Sequence, residues 1–466
     1  MHSQTVDLIV LGAGPAGMSA ALEATRHGLS VVVLDEQGSP GGQIYRNILQ
    51  ADVRSRSVLG DDYTAGSGLV AEFLQCGARY LGNAAIWQVT PQRQVHYLIE
   101  GRARILQGHH VLIATGAFER PMPIPGWTLP GVMTAGAGQI LLKSAALVPA
   151  GPVVLAGCGP LLYLLAVQYL RAGIAIEALV DTSGQGDLLR AWRKVPGALR
   201  GWRDLLKGLR LLAELKRAGV RHFRDARDLR IDGQAQASAL GFASKGRRWT
   251  IPASLILLHQ GVVPNTQISW SLRLEHDWSE QQLCWITRRD SQGETSLPGI
   301  YIAGDGGAIG GAQVALLEGR LVGLAIAARS GKVDGQQARQ LAAPFQKALG
   351  RQCAARPLID ALYRPQRQNR IPADEVIVCR CEDLSAGAIR QHVELGCLGP
   401  NQTKAFGRCG MGPCQGRLCG LSVTEIIAEQ RNVPAADVGY YRIRAPLKPI
   451  TLAQLSTETP LTPEHL

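Results

Sequence analysis

Six of the ten cysteines fall between positions 379 and 419: Cys379, Cys381, Cys397, Cys409, Cys414 and Cys419. Cys379 and Cys381 form a C-x-C pair, and Cys409, Cys414 and Cys419 follow at x4 spacings. Four thiolates delivered by two short loops can hold one soft metal centre, either a zinc ion or an iron–sulfur cluster. A disulfide framework is the third reading of the same residues. The start, MHSQTVDLIVLGAG, carries no charged segment followed by an apolar core and a cleavage site, so a cytoplasmic protein with reduced or metal-bound cysteines is expected. Cys397 falls at a helix end and is left out of the site, and Cys353 is read as unligated.

A second constellation opens the chain. The apolar run VDLIVL leads into Gly12-Ala-Gly14-Pro15-Ala16-Gly17, then a helical segment, then the strand SVVVLDE with Asp35. Gly12 permits the tight turn, Gly14 lets a pyrophosphate approach the backbone, and Gly17 lets helix and strand pack closely. The free N–H groups of the first helical turn then face the phosphates. Asp35, or Glu36 beside it, can accept the ribose hydroxyls. The strand–turn–helix–strand context makes this a dinucleotide site.

The elements that position these sites belong to a chain of 466 residues, 46% hydrophobic and 18% charged, which excludes a disordered or membrane-embedded protein. The formal charge is +12. Much of it sits in Asp187–Arg230, with thirteen Lys/Arg against five Asp/Glu. Amphipathic helices with solvated basic faces account for this excess, and an anionic lipid surface is the functional alternative. Trp192, Trp202 and Phe223 form no stacking platform, so nucleic acid is not expected as a partner.

The segment PVVLAGCGPLLYLLAVQYLRAGIAIEALVD repeats the nucleotide pattern, with Asp181 at the acidic position. Its turn reads Gly157-Cys158-Gly159-Pro160-Leu161-Leu162, with leucine where close packing wants glycine or alanine. NAD, another adenine nucleotide and an empty remnant all remain open, and Asp181 favours NAD over NADP. There is no C-x-x-C for thiol reduction, and Cys158 is read as a small packing residue. His259 is expected as a satisfied histidine near a domain joint. No nucleophile–base or carboxylate pair stands out by spacing.

VLIATG at 111–116 and IYIAGDG at 300–306 are two further apolar strands that end at small residues. With these motifs the chain resembles the two-dinucleotide-binding-domain flavoproteins over about residues 5–330. That resemblance implies FAD on the first glycine turn, with Gly42, Gln43, Thr115, Gly116, Gly304 and Asp305 along the cofactor. The fold class it implies is α/β: two nested Rossmann-like domains, disulfide-reductase-like, with a small C-terminal cysteine-rich domain. The expected boundaries are 1–120 with 285–345 for FAD, 121–284 for the second nucleotide-like domain, and 346–466 for a surface-running connector, the iron–sulfur module and the tail.

EVIVCRCED, AGAIRQHVELGC and KAFGRCGMGPCQGRLCG resemble the [2Fe–2S] module of bacterioferritin-associated ferredoxin. The resemblance implies Cys379, Cys381, Cys409 and Cys414 as ligands, with Cys419 competing for the last place because the family's second pair is commonly C-x2-C. With GAFERPMPIPGWTLPGVMTAGAGQ and MGPCQGR, the whole chain resembles the alpha-type flavin subunits of bacterial amino- and imino-acid dehydrogenases. These act on hydroxyproline, proline or opines, and hydrogen cyanide synthase is a relative. The resemblance implies a separate D-amino-acid-oxidase-like subunit that meets the substrate, a small iron–sulfur subunit, and an external acceptor such as quinone at the membrane. An NADH-dependent reductase, a subunit of a hydrogen cyanide synthase that uses glycine, and an iron–sulfur sensor or scaffold are the alternatives.

Overall fold

The computed structural model describes residues 5–460. The β-branched, apolar run at the start forms β1 (Thr5–Leu11), and Pro15 opens helix α1 (Pro15–Arg26) at its first position. β2 (Val31–Leu34) and β3 (Arg79–Leu81) follow, then β4 (Ala85–Val89), β5 (Gln94–Ile99) and β6 (Arg102–Ile113). The sheet order is β3-β2-β1-β6-β5-β4, parallel from β3 to β6 and antiparallel beyond it. The strand Ile300–Ile302 joins parallel to β6, aligned with Val111–Ile113.

α1 is covered by the helix Ala312–Arg329. A Cβ at Gly319 would lie 2.1 Å from the Ala16 carbonyl, and one at Gly323 would lie 2.6 Å from that of Ala20. Two glycines one turn apart therefore bring the helix backbones together.

The chain leaves this unit through Ala117–Glu119 and returns through Val262–Pro264, and the two strands pair antiparallel. Between them lies a five-stranded parallel sheet containing Val153–Cys158, Ile176–Asp181 and Ile256–Gln260, with a separate three-stranded meander over residues 227–252.

After residue 330 the helix Gly335–Cys353 lies at the surface, as expected of the connector, but the segment that follows it does not run over the surface throughout: the helix Arg356–Leu362 buries Leu358 and Asp360, and Asn369 and Arg370 are buried. The reason is chemical: Gln366 and Arg370 bond carbonyls and an acid at a joint instead of facing water, and the Asn369 carbonyl accepts from Gln260 Nε2 at 3.1 Å. Gln366 Nε2 donates to the carbonyls of Thr182 and Ala226, at 2.7 and 3.2 Å, and Arg370 pairs with buried Glu425.

The C-terminal module follows, with the short strands Ile377–Cys379 and Leu384–Ser385 and the helices Ala386–Glu394, Pro400–Gly407 and Gly420–Arg431. Its Val378, Ile389, Ile426 and Tyr441 share one apolar core with Val6, Ile9, Val111 and Ile302 of the first sheet. The tail runs back over that sheet, where Leu447 N donates to the Trp87 carbonyl at 2.8 Å and Glu458 meets His96 at 2.7 Å.

Candidate functional site

At the first glycine turn the spacing of glycines has a steric cause. A Cβ on Gly17 would lie 1.9 Å from the Gly12 carbonyl oxygen, and one on Gly12 would lie 2.6 Å from that of Ala114. Gly14 caps α1 with no side-chain acceptor, leaving the first-turn amides available to an anion. Gly42 lies against it, so that a Cβ there would sit 2.8 Å from Gly14 Cα. Asp35 accepts from Ala13 N at 2.5 Å and Gln37 N at 2.7 Å, and burial raises its pKa. Glu36 points outward to an ion pair with Lys448 of the tail.

The remaining positions converge on the same edge. Gly304, at φ +72°, packs on Ala16, where a Cβ would come within 2.9 Å of that side chain. Asp305 Oδ1 accepts from Gly310 N and Gly311 N, both at 2.8 Å, so one carboxylate oxygen is spent on its own loop. The Gly116 carbonyl accepts from Asn265 N at 3.0 Å, and Thr115 Oγ1 approaches the Asn265 carbonyl at 3.5 Å. Gln43 accepts from Arg46 Nη2 through its side chain and from Lys143 Nζ through its carbonyl. Burial pushes Lys143 down to about 7. These residues form a glycine-walled cradle at the carboxyl end of parallel strands, which fits a dinucleotide.

The second turn is closed. Leu162 is fully buried. Its neighbour Tyr163 donates to Asp181 Oδ2 at 2.5 Å, His222 Nε2 lies 3.4 Å from the same oxygen, and Ser183 N occupies Oδ1 at 2.7 Å. The Tyr363 carbonyl sits 3.5 Å from Cys158 Sγ, and burial raises that thiol to about 12. His259 is satisfied at the joint, its Nδ1 2.5 Å from Glu119 Oε1, while Glu119 Oε2 accepts from Gly136 N at 2.7 Å.

The cysteines collect in one corner of the shared core. The Sγ atoms of Cys379, Cys409 and Cys419 lie within 4.8 Å of one another, all buried. Cys381 and Cys414 face each other within hydrogen-bond reach, and Gly412 lies so close that a Cβ there would sit 2.3 Å from Cys381 Cβ. Cys419 therefore joins Cys379 and Cys409, whereas Cys414 stands with Cys381. Hydrogen bonds from Cys409 and Cys419, with one from the Gly410 amide, pull the Cys379 thiol well below the usual thiol range, and Cys409 and Cys419 rise in return. Three buried sulfurs, with exposed Cys381 and half-buried Cys414 beside them and a backbone amide aimed at Cys379, suit a thiophilic centre. Cys397 is buried and lies outside this group; Cys353 is exposed.

The family of pyridine nucleotide-disulphide oxidoreductases matches residues 6–160, and the sarcosine oxidase A3 domain matches residues 374–459. The A-subunit of opine oxidase from Rhizobium meliloti is 44% identical over 97% of this chain and 87% of its own length. The chain belongs to the family of opine oxidase A-subunits. It is an FAD-dependent oxidoreductase of the multi-subunit amino- and imino-acid dehydrogenase type. The HcnB component of hydrogen cyanide synthase from Pseudomonas aeruginosa is a further relative, 30% identical over 95% of this chain and 96% of its own. In fold, the chain is similar to an L-proline dehydrogenase from P. horikoshii, with a TM-score of 0.69 at 18% identity over 97% of this chain and 79% of the other.

Among the described residues no helix is long and apolar enough to cross a membrane. Sequence reasoning missed Glu119, Lys143 and Tyr441, because their partners lie far away in the chain and no motif spacing announces them.

Proposed function

We propose that this protein carries FAD on the first glycine turn and a [2Fe–2S] cluster on the C-terminal cysteines, and that it relays electrons taken from an opine or a related imino acid. Oxidising a C–N single bond to C=N releases two electrons and two protons. FAD accepts such a pair, and a [2Fe–2S] centre passes electrons on singly. A structural zinc would use the same thiolates but has no redox role beside a flavin.

The observation that carries the reading is the packing of the cysteines into the flavin unit's own core. Asn265, bonded to Gly116, leads into the short helix Gln267–Ser271, whose Trp270 stacks on Tyr440 at 5.4 Å between centroids. Cys381 and Cys414 would hold one iron, and Cys379 the other together with Cys409 or Cys419. Gly12, Gly14, Pro15, Ala16, Gly17, Asp35, Gly42, Gln43, Thr115, Gly116, Gly304 and Asp305 would hold FAD.

The substrate is met by a separate D-amino-acid-oxidase-like subunit; in this chain the buried groups Asp181, His259 with Glu119, and Arg370 with Glu425 are tied into structural pairs. Iron, acid-labile sulfide and FAD analysis of the chain co-purified with its natural partners tests this. Serine variants of the five cysteines follow, and four are expected to lose the cluster. Acceptor-linked activity is then measured with opines, hydroxyproline, proline and glycine. Stoichiometric zinc without sulfide, or fast NADH oxidation with all amino acids inactive, refutes it.

The acceptor side points to an anionic membrane surface. Trp192, Leu199 and Trp202 are exposed along residues 192–202, beside Arg193, Lys194 and Arg200. Aromatic and basic side chains together suit a lipid headgroup layer.

A further inference from the structure

Tyr441 lies outside every motif of the chain, yet its side chain is fully buried against the cysteines. Its hydroxyl donates to Cys409 Sγ at 3.1 Å and lies 3.7 Å from Cys419 Sγ. The ring occupies a slot cut by two glycines: a Cβ on Gly410 or on Gly416 would come within 2.5 Å of it. Lys404 Nζ lies over the ring at 4.9 Å from its centroid. A phenol this deep must find a partner, and the only acceptors it meets in these contacts are sulfurs.

We propose that the Tyr441 hydroxyl is a hydrogen-bond donor to a ligating sulfur and sets the reduction potential of the [2Fe–2S] centre. This rests on the cluster reading above. Reduction adds one negative charge, part of which resides on the sulfurs, and a donor aimed at them stabilises the reduced form more than the oxidised one. Because the hydroxyl reaches both Cys409 and Cys419, it touches a ligand whichever of the two binds iron. The Cys379 side of the centre is served instead by the Gly410 amide. Tyr441 is thus a positioning and tuning residue that itself exchanges no electron.

The test is an anaerobic redox titration of the full chain, followed by electron paramagnetic resonance, comparing unsubstituted protein with Tyr441→Phe. The variant keeps the ring and its packing. Its iron and sulfide content should be unchanged, and the cluster potential should fall by about 59 mV, a tenfold change in a one-electron equilibrium. The flavin potential in the same sample should not move. An unmoved cluster potential in the iron-replete variant overturns the proposal.

Should Tyr441→Phe fail to keep its iron, incorporating 3-fluorotyrosine into the unsubstituted sequence keeps the shape and makes the phenol a stronger donor. The potential then rises, and a stationary value overturns the proposal. Absence of iron and sulfide from the unsubstituted protein would instead overturn the cluster reading on which this rests.

Discussion

NADH should fail to reduce this flavoprotein, and the reason lies at Asp181. In the first nucleotide turn both oxygens of Asp35 are bonded by backbone amides, those of Ala13 and Gln37, and no side chain among the described residues donates to them. In the second, Ser183 N takes one oxygen of Asp181 in the same way, but the other accepts the Tyr163 hydroxyl at 2.5 Å. A ribose hydroxyl approaching Oδ2 competes with that hydroxyl and with His222 Nε2. A hydrogen bond to a charged group is worth about 1.5–3 kcal/mol, and each 1.4 kcal/mol is tenfold in affinity, so this bond alone weakens dinucleotide binding by roughly 10–100-fold. Buried Leu162, and the Tyr363 carbonyl held against Cys158, act in the same direction.

The assay is anaerobic titration with NADH, followed by the visible absorbance of the flavin, with dithionite as the positive control. No bleaching is expected before dithionite is added. Tyr163→Phe should bind NADH about tenfold more tightly by fluorescence quenching, and should lose about 1–3 kcal/mol of stability because buried Asp181 Oδ2 then keeps only the longer contact to His222. Rapid stoichiometric bleaching of the unsubstituted protein by NADH would refute the reasoning, and would favour a self-contained reductase.

Gly17→Ala places a methyl group 1.9 Å from the Gly12 carbonyl oxygen; loss of FAD on gel filtration and a destabilisation of about 1–3 kcal/mol or more in urea are expected. His276, stacked on Trp270 at 3.7 Å, is pushed by burial down to about 4. The unfolded chain therefore binds the extra proton first, and the neutral ring's contribution, intact above about 6.5, is lost as pH falls toward 4; His276→Gln should remove about 2 kcal/mol of that pH dependence, read from urea midpoints at pH 7 and pH 4.5. Vesicles with anionic lipid should sediment the protein and zwitterionic ones should not, an effect lost in Trp192→Ser with Trp202→Ser; equal sedimentation removes the membrane face.

The parts of the fold that are legible in the sequence are those whose cause is local. A glycine turn between a β-branched strand and a proline-opened helix carries its own steric logic, and Gly12, Gly14 and Gly17 meet the clashes that spacing implies. Leu162 can be read as an obstacle for the same reason. What closes the second turn cannot, because Tyr363 and Gln366 reach Cys158 and Thr182 from about two hundred residues away. The connector defeats a reading from composition because Gln and Arg ordinarily mark solvent, whereas here Gln366 and Arg370 bond carbonyls and an acid at a joint. The cysteines show the same limit. Spacing collects the candidates, but the grouping of Cys419 with Cys379 and Cys409 depends on how the loop folds around Tyr441.

That joint also bears on how the C-terminal module works. A module tethered by a flexible connector would meet the flavin by diffusion; one that shares its core has a fixed separation. Trp127 Nε1 donates to the Ile377 carbonyl at 2.7 Å, two residues before Cys379, and Arg380 lies over the Trp127 ring at 5.2 Å. On the opposite side Arg370, pushed by burial down to about 9, pairs with Glu425 of the module's last long helix. Breaking a buried pair of this kind by removing one partner costs about 3–5 kcal/mol, so the joint resists opening. The Trp127 contacts hold the strand before the cysteines to the second nucleotide unit, the Arg370–Glu425 pair holds the module's helix to the connector, and Tyr440 stacks on Trp270. A nucleotide fold whose acidic residue is bonded by Tyr163, with Tyr363 and Gln366 of the connector against its turn, has a further use in this arrangement: through Trp127 the cysteine module is set against it.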